Sequence, residues 1–185
     1  MIQPLPATNG LRKPPYIRES TLDDATHIAE LGTYVFTVTY SHSMPSYELQ
    51  AYLNKAYSTR AITKDIEDPA KDVIVAVDPG DEILGFGILT RGTSDPCIDD
   101  LESKVELQRL YVHPDAHGNG IGNLLGKRME EIAREQGFKN VWLGVWEENL
   151  IAQKAYQKWG YKRVGYRDFV IGDITQIGFI MTKSL

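Results

Sequence analysis

Three closely spaced glycines mark the part of the chain that is best suited to chemistry. The segment "VHPDAHGNGIG" (112–122) contains Gly118, Gly120 and Gly122. It follows the apolar stretch "VELQRLYV" and precedes "NLLGKRMEEIAREQG", which has the spacing of an amphipathic helix. The first N–H groups of a helix have no partner inside it, and glycine lets a ligand approach the backbone closely. The pattern therefore indicates a loop that binds an anion.

Three phosphate ligands are candidates for this loop. A P-loop needs G-x-x-x-x-G-K-[ST], and no Lys-Ser or Lys-Thr pair follows the glycines. The dinucleotide fingerprint needs G-x-G-x-x-G in an early βαβ unit, whereas here the spacing is G-x-G-x-G and the loop comes late in the chain. The third candidate is the pyrophosphate of coenzyme A.

Composition and charge exclude several other classes of protein. The net charge of −5 disfavours nucleic acid as a partner, because phosphate backbones need a basic surface. No apolar run approaches the ~20 residues of a membrane span. The single cysteine, Cys97, excludes an internal disulfide and fits a reducing, cytoplasmic location; its acidic neighbours should raise its pKa.

His113 and His117 are spaced like a metal pair, but Pro114 prevents the helical geometry and no third ligand is evident, so no metal is expected.

The order of predicted elements indicates one mixed α/β domain. Residues 1–15 are expected to form a mobile tail, and residues 16–185 the domain. The pattern predicts a strand and two helices, a β-hairpin around "DPGD", a strand, the glycine loop with its helix, the strand "VWLGVW", a helix, and two closing strands. The fold class is therefore α/β with about four helices.

The segment "VHPDAHGNGIG" resembles the V-x-P…[QR]-x-x-G-x-[GA] signature of the GCN5-related N-acetyltransferases, the GNAT superfamily. The preceding strand, the following helix, "VWLGVW" and "AYQKWGY" resemble that family in the same order, over residues 16–185. The resemblance implies a mixed, mostly antiparallel sheet whose central pair of strands is splayed. One departure is His117, which stands where the family usually has Gln or Arg and so removes a fixed donor or charge.

A narrower resemblance, carried by "WLGVWE" and the C-terminal segment, is to the bacterial spermidine/spermine N-acetyltransferases. It implies transfer of an acetyl group from acetyl-CoA to a primary amine by direct attack, with a polyamine as the leading acceptor. Two alternatives remain open. One is an acetyltransferase for a peptide N-terminus or lysine, and the other is a non-catalytic CoA-binding sensor.

The resemblance also assigns cofactor contacts to three segments. Backbone groups of the strand would line the pantetheine arm, the loop would hold the pyrophosphate, and the last helix would complete the site. In that order the residues are Leu110, Tyr111 and Val112; His117, Gly118, Asn119, Gly120, Ile121 and Gly122; and Asn149, Ala152, Tyr156 and Lys158.

The expected chemistry needs an acid, a base and an oxyanion donor. Tyr156 is the candidate general acid for the departing thiolate, and the N–H of Leu110 is the candidate donor to the thioester carbonyl. Glu106 is the first candidate for the base and Glu147 the second.

The acceptor would be a small amine bound beside aromatic and acidic side chains, since such groups suit a cation. Tyr34, Tyr40 and Glu147 are candidate acceptor contacts, with an acidic rim from Asp95, Asp99, Asp100 and Glu102. The alternative, that these tyrosines belong to the core and these acids to a solvated loop, stays open. The C-terminal strands are candidates for a homodimer contact.

Overall fold

The computed structural model describes residues 14–185. Residues 1–13 of the predicted tail therefore lie outside the described residues. The described part contains a seven-stranded sheet and five α-helices. The strands are β1 (Tyr16–Glu19), β2 (Lys71–Val77), β3 (Ile83–Thr90), β4 (Lys104–Val112), β5 (Asn140–Trp146), β6 (Lys162–Ile171) and β7 (Ile174–Ser184). The helices are α1 (Ala25–Tyr40), α2 (Ser46–Ala56), α3 (Thr59–Glu67), α4 (Ile121–Glu135) and α5 (Leu150–Lys158).

The strands follow the order β1-β2-β3-β4-β5-β7-β6, and only the central pair, β4 and β5, is parallel. This arrangement confirms the predicted mixed α/β fold with a mostly antiparallel sheet. The helix that the sequence analysis did not predict is α3. It is short and begins at Ser58, whose side chain accepts a hydrogen bond from the N–H of Ala61.

Each face of the sheet has its own hydrophobic core. Helices α4 and α5 cover one side, hereafter the α4 face, and α1, α2 and α3 cover the other, the α1 face. Two glycines of β3 let α4 lie close to the sheet. A Cβ at Gly85 would lie 3.0 Å from Leu125, and one at Gly87 would lie 2.7 Å from Met129.

The two central strands separate soon after they begin. β4 and β5 pair over three residues only, with Lys104–Glu106 of β4 beside Asn140–Trp142 of β5. Beyond this point the two strands diverge, which confirms the predicted splay. Helix α1 crosses the open end. Its Tyr34 stacks on His113, just beyond β4, while its Tyr40 packs on Trp146 at the end of β5. Six residues of helix separate these contacts, a span of about 9 Å.

A β-bulge in β4 sets which side chains face which core. The register with β3 shifts so that Gln108 is the extra residue. As a result Leu110 and Val112 pack with the α4-face core, while Tyr111 packs on the α1 face.

Candidate active site

The glycine loop has the backbone geometry of an anion site. Gly118 and Gly120 adopt φ of +77° and +79°, a region that L side chains rarely occupy, and a Cβ at either would meet nothing within 4 Å. Glycine is therefore required here by the backbone, and the space beside the loop is open. Helix α4 begins at Ile121, with the N–H groups of its first turn at this opening.

The loop lies against the end of β4 and the end of α5. A Cβ at Gly122 would lie 3.7 Å from Val112 and 3.9 Å from Trp159. The ring Nε2 of His117 is 3.1 Å from the carbonyl oxygen of Val112, so His117 turns back toward the strand. The amide of Asn119 donates to the carbonyl of Ala116 at 3.4 Å.

The splay leaves one edge of β4 without a strand partner. From residue 107 to 112, β4 pairs with β3 but no longer with β5. Backbone groups that point into the gap are therefore available to a ligand with amide groups of its own. Leu110, Tyr111 and Val112 lie in this stretch, as the sequence analysis expected.

Tyr156 lies on the α4 face, where its ring packs edge-on against Trp159 and Tyr161 at centroid distances of 5.6 and 5.7 Å. Burial raises the pKa of the Tyr156 phenol to about 12, so the phenol is protonated at neutral pH. At the start of the same helix, Asn149 accepts a hydrogen bond from the N–H of Ala152 at 3.1 Å. Lys158, at the end of α5, is exposed.

Glu106 lies on the opposite face of the sheet from Tyr156. Its neighbours Val105 and Leu107 belong to the α4-face core, so the Glu106 side chain points to the α1 face. It stands on the last rung that β4 shares with β5 and is only 7% exposed. Burial raises the pKa of its carboxyl, and this effect is opposed by Thr93 and by nearby cations. A candidate acid and a candidate base thus lie on the two sides of one gap.

Tyr40 and Glu147 both lie next to Trp146 at the end of β5, although only Glu147 lines the cavity there. A cavity of about 280 Å³ is present there, lined by His42, Ser43, Trp146, Glu147, Glu148, Ile174, Thr175 and Gln176. The ring of Tyr40 packs on Trp146 at 4.7 Å. Tyr34 does not join this cavity but lies on the β4 side, stacked on His113 at 5.3 Å.

Three of the four residues of the predicted acidic rim are exposed, and the fourth is buried. Asp99, Asp100 and Glu102 are exposed, but Asp95 is buried, where its side chain accepts a hydrogen bond from the N–H of Cys97. Burial first, and then Asp95, raises the pKa of the Cys97 thiol to about 11, in the direction expected from the sequence.

Sequence reasoning missed a group of charged side chains on the α1 face. Asp65 of α3 pairs with Lys71 of β2 at 2.5 Å and with Arg109 of β4 at 2.7 Å. Arg167 of β6 reaches the same face, 3.7 Å from Asp95. Because these residues lie far apart in the chain, no local pattern indicates that they meet.

Within residues 14–185 no group of three or more His, Cys, Asp or Glu side chains could hold a metal ion. None of the helices in the same range is long and apolar enough to cross a membrane.

The splayed parallel pair, the glycine loop and the helix that follows it together define the fold of an acetyltransferase that uses acetyl-CoA. The model of the acetyltransferase (GNAT) family matches residues 36–161, and the chain belongs to that family. Membership confirms the expected class of enzyme, an acetyl-CoA-dependent N-acetyltransferase.

Individual relatives share less than a third of their residues with this chain over the lengths compared below. The chain is 28% identical over 164 residues to an uncharacterised N-acetyltransferase of Mycobacterium tuberculosis, covering 89% of this chain and 99% of the relative. It is 23% identical over 170 residues to the spermidine N(1)-acetyltransferase of Thermoplasma acidophilum, covering 91% and 96%. The solved structure of the PaiA N-acetyltransferase of Thermoplasma acidophilum, in complex with coenzyme A, superposes with a TM-score of 0.75 at 22% identity, covering 94% of this chain and 100% of that one.

Proposed function

We propose that this protein transfers the acetyl group of acetyl-CoA to a primary amine by direct attack, with spermidine or spermine as the leading acceptor. The observation that carries the proposal is the gap between β4 and β5, which has a candidate acid on one face and a candidate base on the other. No covalent intermediate on the protein is needed for this route.

The residues around the gap fit acetyl-CoA. Open space beside glycines in the left-handed region, at the start of a helix, suits a pyrophosphate. The unpaired edge of β4 suits an arm that carries amide groups. The proposed contacts are Leu110, Tyr111 and Val112 for the arm, 117–122 for the pyrophosphate, and Asn149, Ala152, Tyr156 and Lys158 from α5.

In the proposed reaction, Glu106 accepts a proton from the ammonium group of the acceptor. The neutral nitrogen then attacks the thioester carbonyl, so a C–N bond forms while the C–S bond breaks. The N–H of Leu110 donates to the carbonyl oxygen as negative charge develops on it. Tyr156 gives its proton to the departing sulfur, and the amide nitrogen loses its second proton to solvent.

A polyamine acceptor is supported by the cavity beside Trp146. The carboxylate of Glu147 and the aromatic face of Trp146 line it, and both kinds of group attract cations, while the carboxylate of Glu148 lies 3.6 Å from His42. Tyr40 packs against the same tryptophan. We therefore assign to this cavity the second, charged amine of the acceptor. The distant spermidine acetyltransferase relative is in keeping with this assignment.

Thiol release from acetyl-CoA with a panel of acceptors tests the proposal. We expect release with spermidine or spermine to exceed release with lysine-bearing peptides and small arylamines. Release with peptides alone would replace the polyamine by a peptide N-terminus or lysine. Measurable acetyl-CoA binding without release on any acceptor would favour a sensor instead.

We also propose a homodimer contact on β6 and a cytoplasmic location. β6 is an edge strand whose Val164, Tyr166 and Val170 are 47%, 66% and 61% exposed. Apolar side chains on an edge strand favour contact with another chain. Sedimentation as a monomer at micromolar concentration would exclude a stable dimer. The location follows only from the use of a single cysteine.

A further inference from the structure

The side chain of Arg167 crosses the α1 face of the sheet from its edge toward the splay. Arg167 lies on β6 and is paired with Gly178 of β7. A Cβ placed on Gly144 of β5 would lie 3.2 Å from its Nη2 atom. The end of this side chain therefore lies over Gly144, two strands inward from β6.

The guanidinium ends beside the rung that carries Glu106. Its Cζ lies 5.7 Å from the ring centre of Trp142, and Trp142 is the β5 residue paired with Glu106. On its other side the guanidinium meets Asp95, at 3.7 Å. Asp95 is 5% exposed, so it anchors the end of the arginine beneath the loop that follows β3.

Arg167 differs from the other two cations on this face in its ion-pair partner. Arg109 and Lys71 both pair closely with Asp65, at 2.7 and 2.5 Å. The single ion pair of Arg167 within residues 14–185 is the longer one to Asp95. The guanidinium of Arg167 therefore lies between Asp95 and the rung of Glu106, and among the cations it acts most strongly on the Glu106 carboxyl.

We propose that Arg167 is a positioning residue that acts through Glu106: its guanidinium holds the buried carboxylate in the ionised form that can accept a proton from the acceptor. The proposal rests on the proposed function, in which Glu106 is the base. The same charge disfavours an ammonium at the reacting end of the acceptor, while the second ammonium lies in the cavity beside Trp146.

The groups that face Glu106 all act in known directions. Burial raises the pKa of its carboxyl; Thr93 from the loop after β3, Arg167 from β6, Lys71 from β2 and Arg109 from β4 lower it. Asp95, the anion of this group, pairs with Arg167. Removing Arg167 therefore raises the pKa of Glu106, and a smaller fraction of the carboxyl is ionised at pH 6.

A direct titration of Glu106 tests the proposal in the protein without substrates. Protein labelled with ¹³C at the glutamate carboxyl carbons is titrated by NMR, and the Glu106 signal is identified by its loss in Glu106→Gln. We expect the midpoint to rise in Arg167→Met and to stay near that of the wild type in Arg167→Lys. The matched control is Arg163→Met, because Arg163 is on the same strand but stacks on Phe179 of the α4-face core. An unchanged midpoint in Arg167→Met would overturn the proposal.

Arg167→Met leaves the buried carboxylate of Asp95 without its cation, which could unfold the protein. A second pair of variants therefore removes that carboxylate first. In an Asp95→Asn background, adding Arg167→Met must still raise the midpoint of Glu106. If it does not, the proposal is wrong.

Turnover gives the second measurement and separates this proposal from the proposed function. With spermidine, Arg167→Met should lose on the order of tenfold in kcat/KM at pH 6 and less than about twofold at pH 9. A uniform loss at both pH values would indicate a merely structural role and overturn the proposal. If Glu106→Gln instead keeps full activity, Glu106 is not the base and the proposed mechanism fails, whatever the titration shows.

Discussion

At the level of single residues, Glu106 and Glu147 differ in their surroundings, and we expect them to have different tasks. Glu106 is buried at the rung where the strands separate, which suits a base. Glu147 is half-buried in the cavity wall, and the N–H of Glu147 donates to the carbonyl of Ile177 at 3.0 Å. This hydrogen bond holds Glu147 at the cavity, where its carboxylate can attract a cation without touching the reacting nitrogen.

Replacing Glu147 should therefore affect binding of diamines more than chemistry. We expect Glu147→Gln to raise KM for spermidine about fivefold, the effect of roughly 1 kcal/mol for a partly exposed ion pair. KM for a monoamine and kcat for both acceptors should change by less than about twofold. Glu82→Gln is the control, because Glu82 is an exposed carboxylate in the β2–β3 turn. Equal increases of KM for mono- and diamines would contradict the assignment of the cavity.

Single residues also show what could be predicted from the sequence. The family resemblance indicates Tyr156 as the candidate acid, and the need for a carboxylate on the cofactor strand indicates Glu106 as the candidate base; their side chains lie on opposite faces of the sheet. Arg167 could not be selected, because its relevance depends on reaching Gly144 and Trp142, two strands away in the sheet. The sequence predicts Asp95 in an acidic rim or a solvated loop, yet it is buried beside Arg167.

At the level of elements, α4 and its loop form the proposed pyrophosphate site. The helix has glycine at both ends, Gly120 before it and Gly137 after it, with φ of +79° and +82°. A Cβ at either position would meet nothing within 4 Å. The two ends therefore share the same backbone requirement, but only the N-terminal end lies beside β4.

This pair of glycines allows a matched test. Gly120→Ala and Gly137→Ala should each cost about 1–2 kcal/mol of stability, because each forces an L residue into the left-handed region. We expect only Gly120→Ala to raise the Kd for acetyl-CoA, by about tenfold, since it distorts the loop that holds the pyrophosphate. Isothermal titration and thermal unfolding measure the two effects. An equal loss of affinity in both variants would mean that helix stability, rather than the loop, controls binding.

The helices and strands with clear periodicity were predictable, and α3 was not. α3 spans nine residues, and Ile62 is its one fully buried residue, so its apolar pattern is too short to distinguish from a loop. Its place is fixed by Asp65, which pairs with cations on two strands. Such contacts depend on the tertiary fold and leave no local signal.

At the level of the whole molecule, the sheet separates the residues proposed for the cofactor and the acid from those proposed for the base and the acceptor. The loop, α4 and Tyr156 lie on the α4 face, whereas Glu106 and Tyr40 lie on the α1 face. Burial chiefly raises the pKa of Tyr40, and the nearby phenols of Tyr111, Tyr52 and Tyr156 add to it in that order. In the proposed reaction, the gap between β4 and β5 is where the two faces meet.

The topology was predictable only in part. The β2–β3 and β6–β7 hairpins follow from their turns. That β7, rather than β6, pairs with β5 depends on long-range register, which short sequence patterns do not encode. The splay followed from the family resemblance alone.

The most direct test of the central claim compares the wild type with Tyr156→Phe in thiol release from acetyl-CoA with spermidine. The raised pKa, about 12, keeps the phenol protonated, so wild-type kcat should not fall between pH 8 and pH 10 through loss of this acid. We predict that Tyr156→Phe lowers kcat about 10²-fold while the Kd for acetyl-CoA stays the same. Unchanged turnover in Tyr156→Phe, or a wild type that binds acetyl-CoA but releases no thiol with any amine, would contradict the account.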